Sequence, residues 1–315
     1  MAPGSAPAPR RREPGAEVFP ANTFAPRWQP TQTSGTPTPS SLPFASTGAT
    51  ATAPAGAVSR EPGIARLACG HVRPALTVMT YNIHQGRGVD GVFDLDRIAA
   101  VIRSQDADLV ALQEVGRHWS AESEFRDQPA ELARLLEMEW VYGANLDRDP
   151  PAPGAPRRQY GTAILTAWPI RGSENIPLPR VSADNEQRGL LVLDVDLDGA
   201  PFRLHNAHLS VSAQDRRLQV EALLAAADSA AVPHALAGDL NAAPQAPELA
   251  PLFDRFRDAW TVGGEGDGFT FPASAPTVRI DYVLVSPELG VGSVDVPARA
   301  GSDHLPLVAE LAAAA

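Results

Sequence analysis

The stretch Gly238-Asp239-Leu240-Asn241 places an acid and an amide two residues apart, directly after a short apolar run at 232–236. Such a run is typical of a buried strand. If the chain stays extended beyond it, Asp239 and Asn241 face one point while Leu240 turns back into the core. An ionised acid accepts hydrogen bonds and protons, and an amide offers a donor and a carbonyl oxygen. The alternative is an ordinary turn at a strand end, where Gly, Asp and Asn are common.

Other apolar segments also end in, or carry, polar groups that packing does not require. These groups are Asn82, Glu114, His208, Asp281, Asp303 and His304. Charged side chains are rarely buried unless they are paired or bound to a metal. Because strand ends gather at one edge of stacked sheets, we expect these residues to converge there. Acid and amide oxygens suit Mg²⁺ or Mn²⁺, and histidines beside such an ion suit acid–base chemistry near neutral pH.

Apolar patterning predicts the elements that must position these groups. The predicted strands are 76–82, 108–115, 160–166, 189–198, 202–209, 232–239, 279–285 and 305–311, and the predicted helices are 95–102 (capped by Asp94), 127–138 and 213–229. Asp198-Gly199 is a strong hairpin-turn signal. Many strands, few helices and an antiparallel hairpin predict an α/β domain with stacked sheets.

The composition divides the chain of 315 residues into two parts. Residues 1–74 are rich in Pro, Ala, Ser, Thr and Gly without periodicity, which predicts a disordered tail. This tail holds seven Arg and three Glu, which leaves 19 Arg against 34 acidic residues in the predicted catalytic domain at 75–315. A domain that grips long nucleic acid usually presents a basic face, so the acidic balance of −15 disfavours that function without excluding local basic grooves.

Cellular location is only weakly indicated. The single cysteine, Cys69, cannot form an internal disulfide, which favours a reducing compartment. No secretory signal and no membrane-spanning apolar stretch is readable. We therefore expect a cytoplasmic monomer, with secretion left open.

Six motifs carry a resemblance to a known family: YNIHQG, LQEV, NAHL, GDLNAAP, RIDYVL and GSDHLPL, in this order, between residues 76 and 311. The series resembles the endonuclease/exonuclease/phosphatase superfamily. That resemblance implies a four-layered α/β-sandwich, with two stacked mixed β-sheets flanked by helices, and divalent-metal hydrolysis of phosphate esters. By the same resemblance the metal site comprises Glu114, Asn82 and Asp303, and the catalytic groups are Asp239, Asn241, His208 and an Asp281–His304 dyad. Ala207 stands where the family usually has Thr before the histidine.

Several of these residues also admit a structural interpretation. Asn82 could be a strand-end turn residue, and His208 a hydrogen-bonded core histidine. Asp281 could pair with Arg279. Arg188, which precedes an alternating strand, could bind substrate or be a solvated charge.

The sequence favours a Mg²⁺- or Mn²⁺-dependent phosphodiesterase that acts on a small-molecule or lipid diester. Asp239 would orient or deprotonate the attacking water, and Asn241 would donate to the phosphate. Asp281 would orient His304, which, helped by His208, would either stabilise the transition state as a cation or protonate the leaving oxygen. The alternatives are a DNA or RNA nuclease of the same fold and a catalytically silent member that binds a phospholipid or a protein.

Overall fold

The structure, a computed structural model, describes residues 76–299 and 301–313. Within these residues twelve strands form two six-stranded sheets. The strands are β1 (Leu76–Asn82), β2 (Leu109–Arg117), β3 (Glu139–Arg148), β4 (Arg158–Thr166), β5 (Ile170–Pro177), β6 (Gly189–Leu197), β7 (Ala200–His208), β8 (His234–Asp239), β9 (Arg257–Asp258), β10 (Asp281–Val285), β11 (Leu289–Asp295) and β12 (Leu307–Ala313). The helices are α1 (Leu95–Arg103), α2 (Gln128–Leu136), α3 (Ala213–Asp228), α4 (Ala250–Arg255) and α5 (Ala259–Gly263).

Both sheets are mixed. The first has the order β11-β12-β1-β2-β4-β3, and the second has the order β5-β6-β7-β8-β10-β9. The pairs β1–β2 and β7–β8 are parallel, and the other pairs are antiparallel. The parallel pairs matter most for the site, because their carboxyl ends lie at the same edge of each sheet.

Three buried clusters show that the layers are stacked helix–sheet–sheet–helix. One cluster joins side chains of both sheets, such as Val78 and Ile164 from the first with Leu193 and Leu204 from the second. A second cluster packs α1 and α2 on the first sheet, and a third packs α3 and α4 on the second. The predicted four-layered α/β-sandwich is therefore confirmed.

Local sequence signals account for the main elements. The Asp94 side chain caps α1 by accepting a hydrogen bond from the Arg97 amide at 2.9 Å. Asp198 and Gly199 both have positive φ, as the two-residue turn between β6 and β7 requires. The alternating leucines of β6 face the inter-sheet core, as the sequence predicts.

Four strands, β3, β5, β9 and β11, are not predicted by the sequence patterns, and β9 has only two residues. Most of their residues are half-buried or exposed, so they lack a clean apolar alternation. Several predicted bounds also shift. The predicted helix at 127–138 ends at Leu136 because Glu137 takes a left-handed conformation, and the last strand begins after Pro306 rather than at Leu305.

A buried amide pair joins the two sheets below the candidate site. Asn206 on β7 accepts a hydrogen bond from Gln113 Nε2 on β2 at 2.8 Å. Its own amide donates to the carbonyls of Leu112 and Ala163, at 2.9 and 2.8 Å. Asn206 and Gln113 are fully buried. This network fixes the relative position of the sheets because each buried polar group needs its partner on the other sheet.

The predicted tail at 1–74 lies outside the described residues. In the part of the chain that the structure describes, no helix combines the length and the apolar composition that crossing a membrane requires.

Asn206→Leu should destabilise the fold by roughly 2–3 kcal/mol, because it removes the amide that the buried Leu112 and Ala163 carbonyls accept from and one of the three acceptors of the Gln113 amide. Urea unfolding followed by circular dichroism measures this change. A loss below about 0.5 kcal/mol, within the range of ordinary surface substitutions, would show that the amide pair does not hold the sheets together.

Candidate active site

Strand register places a histidine and two acids side by side at the edge of the second sheet. Asp239 ends β8, and its cross-strand neighbours are His208 on β7 and Asp281 on β10. Neighbours in a sheet project from the same face. All three side chains are buried. The sheet itself therefore builds a His208–Asp239–Asp281 row.

His304 completes this row from the loop before β12. Its Nδ1 lies 2.9 Å from Asp281 Oδ2, and its Nε2 lies 3.8 Å from Asp239 Oδ2. The Phe271 ring covers it, with ring centroids 4.8 Å apart. Burial lowers the pKa of His304, but the charges of Asp281, Asp239 and Asp303 and the hydrogen bond to Asp281 outweigh burial and raise this pKa to about 10. At neutral pH the ring is thus an imidazolium that donates to Asp281.

Asp239 lies at the centre of the site. Its Oδ2 accepts a hydrogen bond from Asn82 Nδ2 at 3.1 Å and lies 3.5 Å from His208 Nε2. Burial raises the pKa of Asp239 and the charge of Asp281 adds to this, while His304 and hydrogen bonds from Asn241 and Asn82 oppose it, so that the pKa is about 7. A carboxyl group with this pKa can accept a proton near neutral pH.

Asn82 and Glu114 bring the first sheet to the same point. Asn82 ends β1, and its amide nitrogen lies 3.1 Å from both Glu114 Oε1 and Asp239 Oδ2. Glu114 lies in a bulge of β2, between Leu112 and Val115, with a left-handed φ of 55°. Such a conformation is costly for a residue with a side chain and recurs at functional sites. The bulge turns Glu114 towards the amide that also holds Asp239.

Asn241 does not follow the extended path that the sequence reasoning assumes. Its φ is 50°, and its backbone N–H donates to Asp239 Oδ1 at 2.9 Å, which makes a tight turn after β8. Its side-chain amide donates to the Leu209 carbonyl at 2.8 Å. Leu240 is fully buried, as expected. Asn241 thus lies beside Asp239 through a turn rather than through strand alternation, because the local hydrogen bond of Asp239 competes with the extended backbone.

Arg188 contacts His208 and is not a solvated charge. It is 8% exposed, its Nη1 lies 2.9 Å from His208 Nδ1, and the same nitrogen lies 3.0 Å from Glu186 Oε1. A guanidinium has no acceptor, so His208 Nδ1 must accept and the proton of the neutral ring is on Nε2. Burial, Arg188 and His304 hold the pKa of His208 well below its usual range. His208 is therefore a neutral donor that points Nε2–H towards Asp239.

The remaining predicted residues lie at the margin of this cluster. Asp303 is half-buried, accepts a hydrogen bond from Ser302 Oγ at 3.1 Å and lies 3.6 Å from His84 Nδ1. Arg279 does not pair with Asp281, because it forms a buried ion pair with Asp258 at 2.7 Å.

Sequence reasoning misses two further contacts. Tyr160 lies within electrostatic reach of Glu114, and burial together with the Glu114 charge raises the pKa of Tyr160 well above its usual range. Burial also raises the pKa of Glu186, and the charge of Glu114 adds to this against the opposing charge of Arg188. Neither residue belongs to a recognisable motif, and their positions follow from strand pairing and loop packing.

The donor set fits a hard divalent cation such as Mg²⁺ or Mn²⁺. Carboxylates from both sheets meet at Asn82, and Asp281 Oδ1 is buried without a hydrogen-bond partner. Donor atoms of Asp239, Asp281 and His304 lie within 4.8 Å of one another. However, a protonated His304 that donates to Asp281 cannot also be a ligand, so a cation would be held by carboxylates such as Asp239 and Glu114, which meet at Asn82. A cation there would reduce the mutual repulsion of the buried carboxylates.

The fold and this cluster together define a class: a four-layered α/β-sandwich with an acid, amide and histidine site at the edge of its stacked sheets. The model of the endonuclease/exonuclease/phosphatase family matches residues 79–304. The chain belongs to this family. Members of its superfamily hydrolyse phosphate esters and are in general dependent on divalent metal.

Solved structures show the same likeness. An endonuclease/exonuclease/phosphatase from Beutenbergia cavernae DSM 12333 is 32% identical, with a TM-score of 0.65 over 77% of this chain and 72% of that chain. A mannosyl-6-phosphatase from Bacteroides thetaiotaomicron VPI-5482 is 19% identical, with a TM-score of 0.61 over 75% and 99%. The human Nocturnin catalytic domain is 20% identical, with a TM-score of 0.59 over 77% and 96%. The last two show the fold alone. No match was found among curated proteins.

The contact between Arg188 and His208 makes a spectroscopic prediction. In the wild-type protein the imidazole nitrogens of His208 should show an unprotonated Nδ1 and a protonated Nε2 in long-range ¹H–¹⁵N spectra. Arg188→Met removes the donor and should give a mixture of tautomers. Arg203→Met is the matched control, because Arg203 is a paired arginine on the same sheet that bonds Asp194 instead. A proton on Nδ1 in the wild-type protein would contradict this assignment.

Proposed function

We propose that this chain is a divalent-metal-dependent phosphodiesterase that hydrolyses a small-molecule or lipid diester by in-line attack of water. The observation that carries the proposal is the convergence on Asp239. An imidazolium held by Asp281, a neutral histidine donor and the Glu114–Asn82 pair all surround one buried carboxylate. These groups would supply a base, two hydrogen-bond donors and a place for a cation around one carboxylate.

Glu114 would hold the metal, with Asn82 and Asp303 beside it. When bound, such an ion polarises a phosphate oxygen and neutralises charge that develops during displacement. Asn82 keeps its orientation because its Oδ1 accepts a hydrogen bond from the His84 amide at 3.0 Å. Its nitrogen then faces the two acids, so Asn82 also holds Asp239 and Glu114 at a fixed separation.

Asp239 would orient the attacking water and take its proton. Asn82 and the Asn241 backbone amide both donate to this carboxylate, so it has little freedom to rotate. The Asn241 side chain uses one N–H on the Leu209 carbonyl, which leaves its second N–H to donate to a phosphate oxygen.

The two histidines would act differently. His304 is charged and is fixed by Asp281, so it supplies both a positive charge and a proton at Nε2. His208 is neutral and presents Nε2–H, so it stabilises an oxyanion by hydrogen bonding alone. The sequence leaves both rings open to the same roles, and the contact of Arg188 with His208 supports a different role for each ring.

The acidic balance of residues 75–315 supports a small or lipid diester over a long polynucleotide. The test is a Mg²⁺-dependent activity screen over bis(4-nitrophenyl) phosphate, sphingomyelin and phosphatidylcholine vesicles, and supercoiled plasmid. Mannose 6-phosphate adds a monoester arm, because one structural neighbour is named a mannosyl-6-phosphatase. We expect hydrolysis of a small or lipid diester to exceed plasmid nicking.

Efficient plasmid nicking at physiological salt, abolished by His304→Ala, would establish the nuclease instead. Faster turnover of mannose 6-phosphate than of any diester would establish a phosphomonoesterase. No hydrolysis in any arm, while Mg²⁺ still binds, would indicate a silent binding protein.

Glu114→Gln should lower Mg²⁺-dependent turnover on the order of 10³-fold, since it removes the charge that would hold the ion. The protein should stay folded, because Glu114 is only half-buried. Glu139→Gln is the matched control, because Glu139 is an exposed acid at the start of β3 in the same sheet. Metal binding measured by calorimetry gives a second readout. Unchanged turnover and unchanged Mg²⁺ affinity in Glu114→Gln would exclude Glu114 as the metal ligand.

Asp281→Asn and His304→Ala should each lower turnover about a hundredfold or more, since general acid–base groups contribute on this scale. The double variant should be little worse than the worse single variant, because the two residues act as one unit. A double-mutant cycle at saturating metal measures this coupling. Additive losses, or near-normal turnover in Asp281→Asn, would mean that His304 has another partner.

A further inference from the structure

The rim of the site continues beyond Glu114 along the first sheet. Tyr160, on whose hydroxyl the charge of Glu114 acts, packs against Trp119 with ring centroids 5.3 Å apart and an interplanar angle of 33°. The guanidinium of Arg148 lies over the Trp119 ring, 4.5 Å from its centroid. We call Tyr160, Trp119 and Arg148 the aromatic rim. Ring contacts thus lead from Tyr160, which the charge of Glu114 reaches, to the exposed cation Arg148.

Strand geometry explains why these side chains share one face. Ile164 of β4 points into the inter-sheet core, and residues two and four positions earlier lie on the same face. Tyr160 is therefore on the inner face, above the core, where it meets Glu114. Arg148 and Arg158 are cross-strand partners at the ends of β3 and β4. Tyr160 and Arg148 thus share the inner face at the end of the β3–β4 hairpin.

Arg148 differs from the other arginines of its hairpin. Arg157 pairs with Asp147 and Asp149 at 2.7 and 2.9 Å, and Arg158 Nε donates to the Asp149 carbonyl at 2.9 Å. Arg148 forms no ion pair within 4.0 Å and no hydrogen bond with any residue that the structure describes. Glu186, an acid on which the charge of Arg148 acts, already pairs with Arg188.

The position of Arg148 suits an anion. The guanidinium rests over the indole ring without an acceptor for its N–H groups among the described residues, so these groups remain available as a fork for phosphate or carboxylate oxygens. Stacking also orders the long side chain in advance, which lowers the entropic cost of binding. Asp147 and Asp149, the acids on the same hairpin, are engaged by Arg157.

We propose that the aromatic rim is a second anion subsite, in which Arg148 binds a phosphate or carboxylate group on the substituent of the substrate. The proposal rests on the proposed phosphodiesterase function, because the reacting phosphate would occupy the site beside Glu114. It specifies a class of substrate: a small phosphate diester that carries a second anionic group.

The test measures binding of two matched ligand series, the alkylphosphonates and the ω-carboxyalkylphosphonates of equal chain length, by calorimetry at saturating Mg²⁺. At one chain length the terminal carboxylate should increase the affinity of the wild-type protein about tenfold, the order expected for a charge-assisted hydrogen bond. Arg148→Gln should abolish this increase. Arg157→Gln, which removes the same charge from the same hairpin, should retain it.

Two results would overturn the subsite: no affinity increase at any chain length in the wild-type protein, or an equal increase in Arg148→Gln. If the simple alkylphosphonates do not bind to the wild-type protein at all, the proposed function fails and the subsite fails with it. Binding of the simple series without an effect of the carboxylate would leave the proposed function intact and reject the subsite alone.

Discussion

The buried carboxylate of Asp239 is the constraint around which the site is built. Register sets it beside a second acid, Asp281, in the interior of the protein, and two like charges at such a site are unfavourable. Each compensating group comes from a different element: the His304 imidazolium from the loop before β12, the Asn82 amide from β1, and the Asn241 N–H from the turn after β8. The charges of this acid pair are therefore compensated only when several elements are in place at once.

These groups can compensate the charges of Asp239 and Asp281 only if the two sheets stay at a fixed distance from each other. The Asn82–Asp239 contact crosses from the first sheet to the second, and the Gln113–Asn206 pair crosses below it. Both contacts are buried, so a shift between the sheets would leave polar groups without partners. The same stacking that buries the apolar core thus fixes the chemistry at its edge.

Two of the strained backbone positions lie where these requirements meet. Glu114 and Asn241 both have left-handed φ, and Gly238 allows β8 to approach the Ala207 carbonyl at a place where a side chain would clash. Left-handed conformations cost free energy and persist only where the surrounding structure enforces them. Here they direct Glu114 towards the Asn82 amide and the Asn241 backbone N–H towards Asp239. The family's fold supports several phosphate-ester chemistries, so substrate choice must lie outside this centre, in features such as the aromatic rim.

The sequence alone determined much of the architecture. Apolar runs located most of the strands, alternation identified the core face of β6, and the order of six motifs led to the four-layered fold and to the pairing of Asp281 with His304. These features follow from local periodicity and from short motifs, which a single chain displays directly. Strands with exposed faces, such as β5, lack that periodicity and are visible only in the structure.

The partners of the site residues depended on tertiary structure. Asn82 meets Asp239 across 157 residues of sequence, Arg188 meets His208 across 20, and Tyr160 reaches Glu114 through a paired strand. Asn241 turns instead of extending because of a hydrogen bond to a side chain, which an alternation pattern does not contain. Sequence periodicity indicates which face of a strand or helix a residue occupies. Register and sheet stacking decide which other residues it contacts there. The charge of His304 and the tautomer of His208 follow from those contacts.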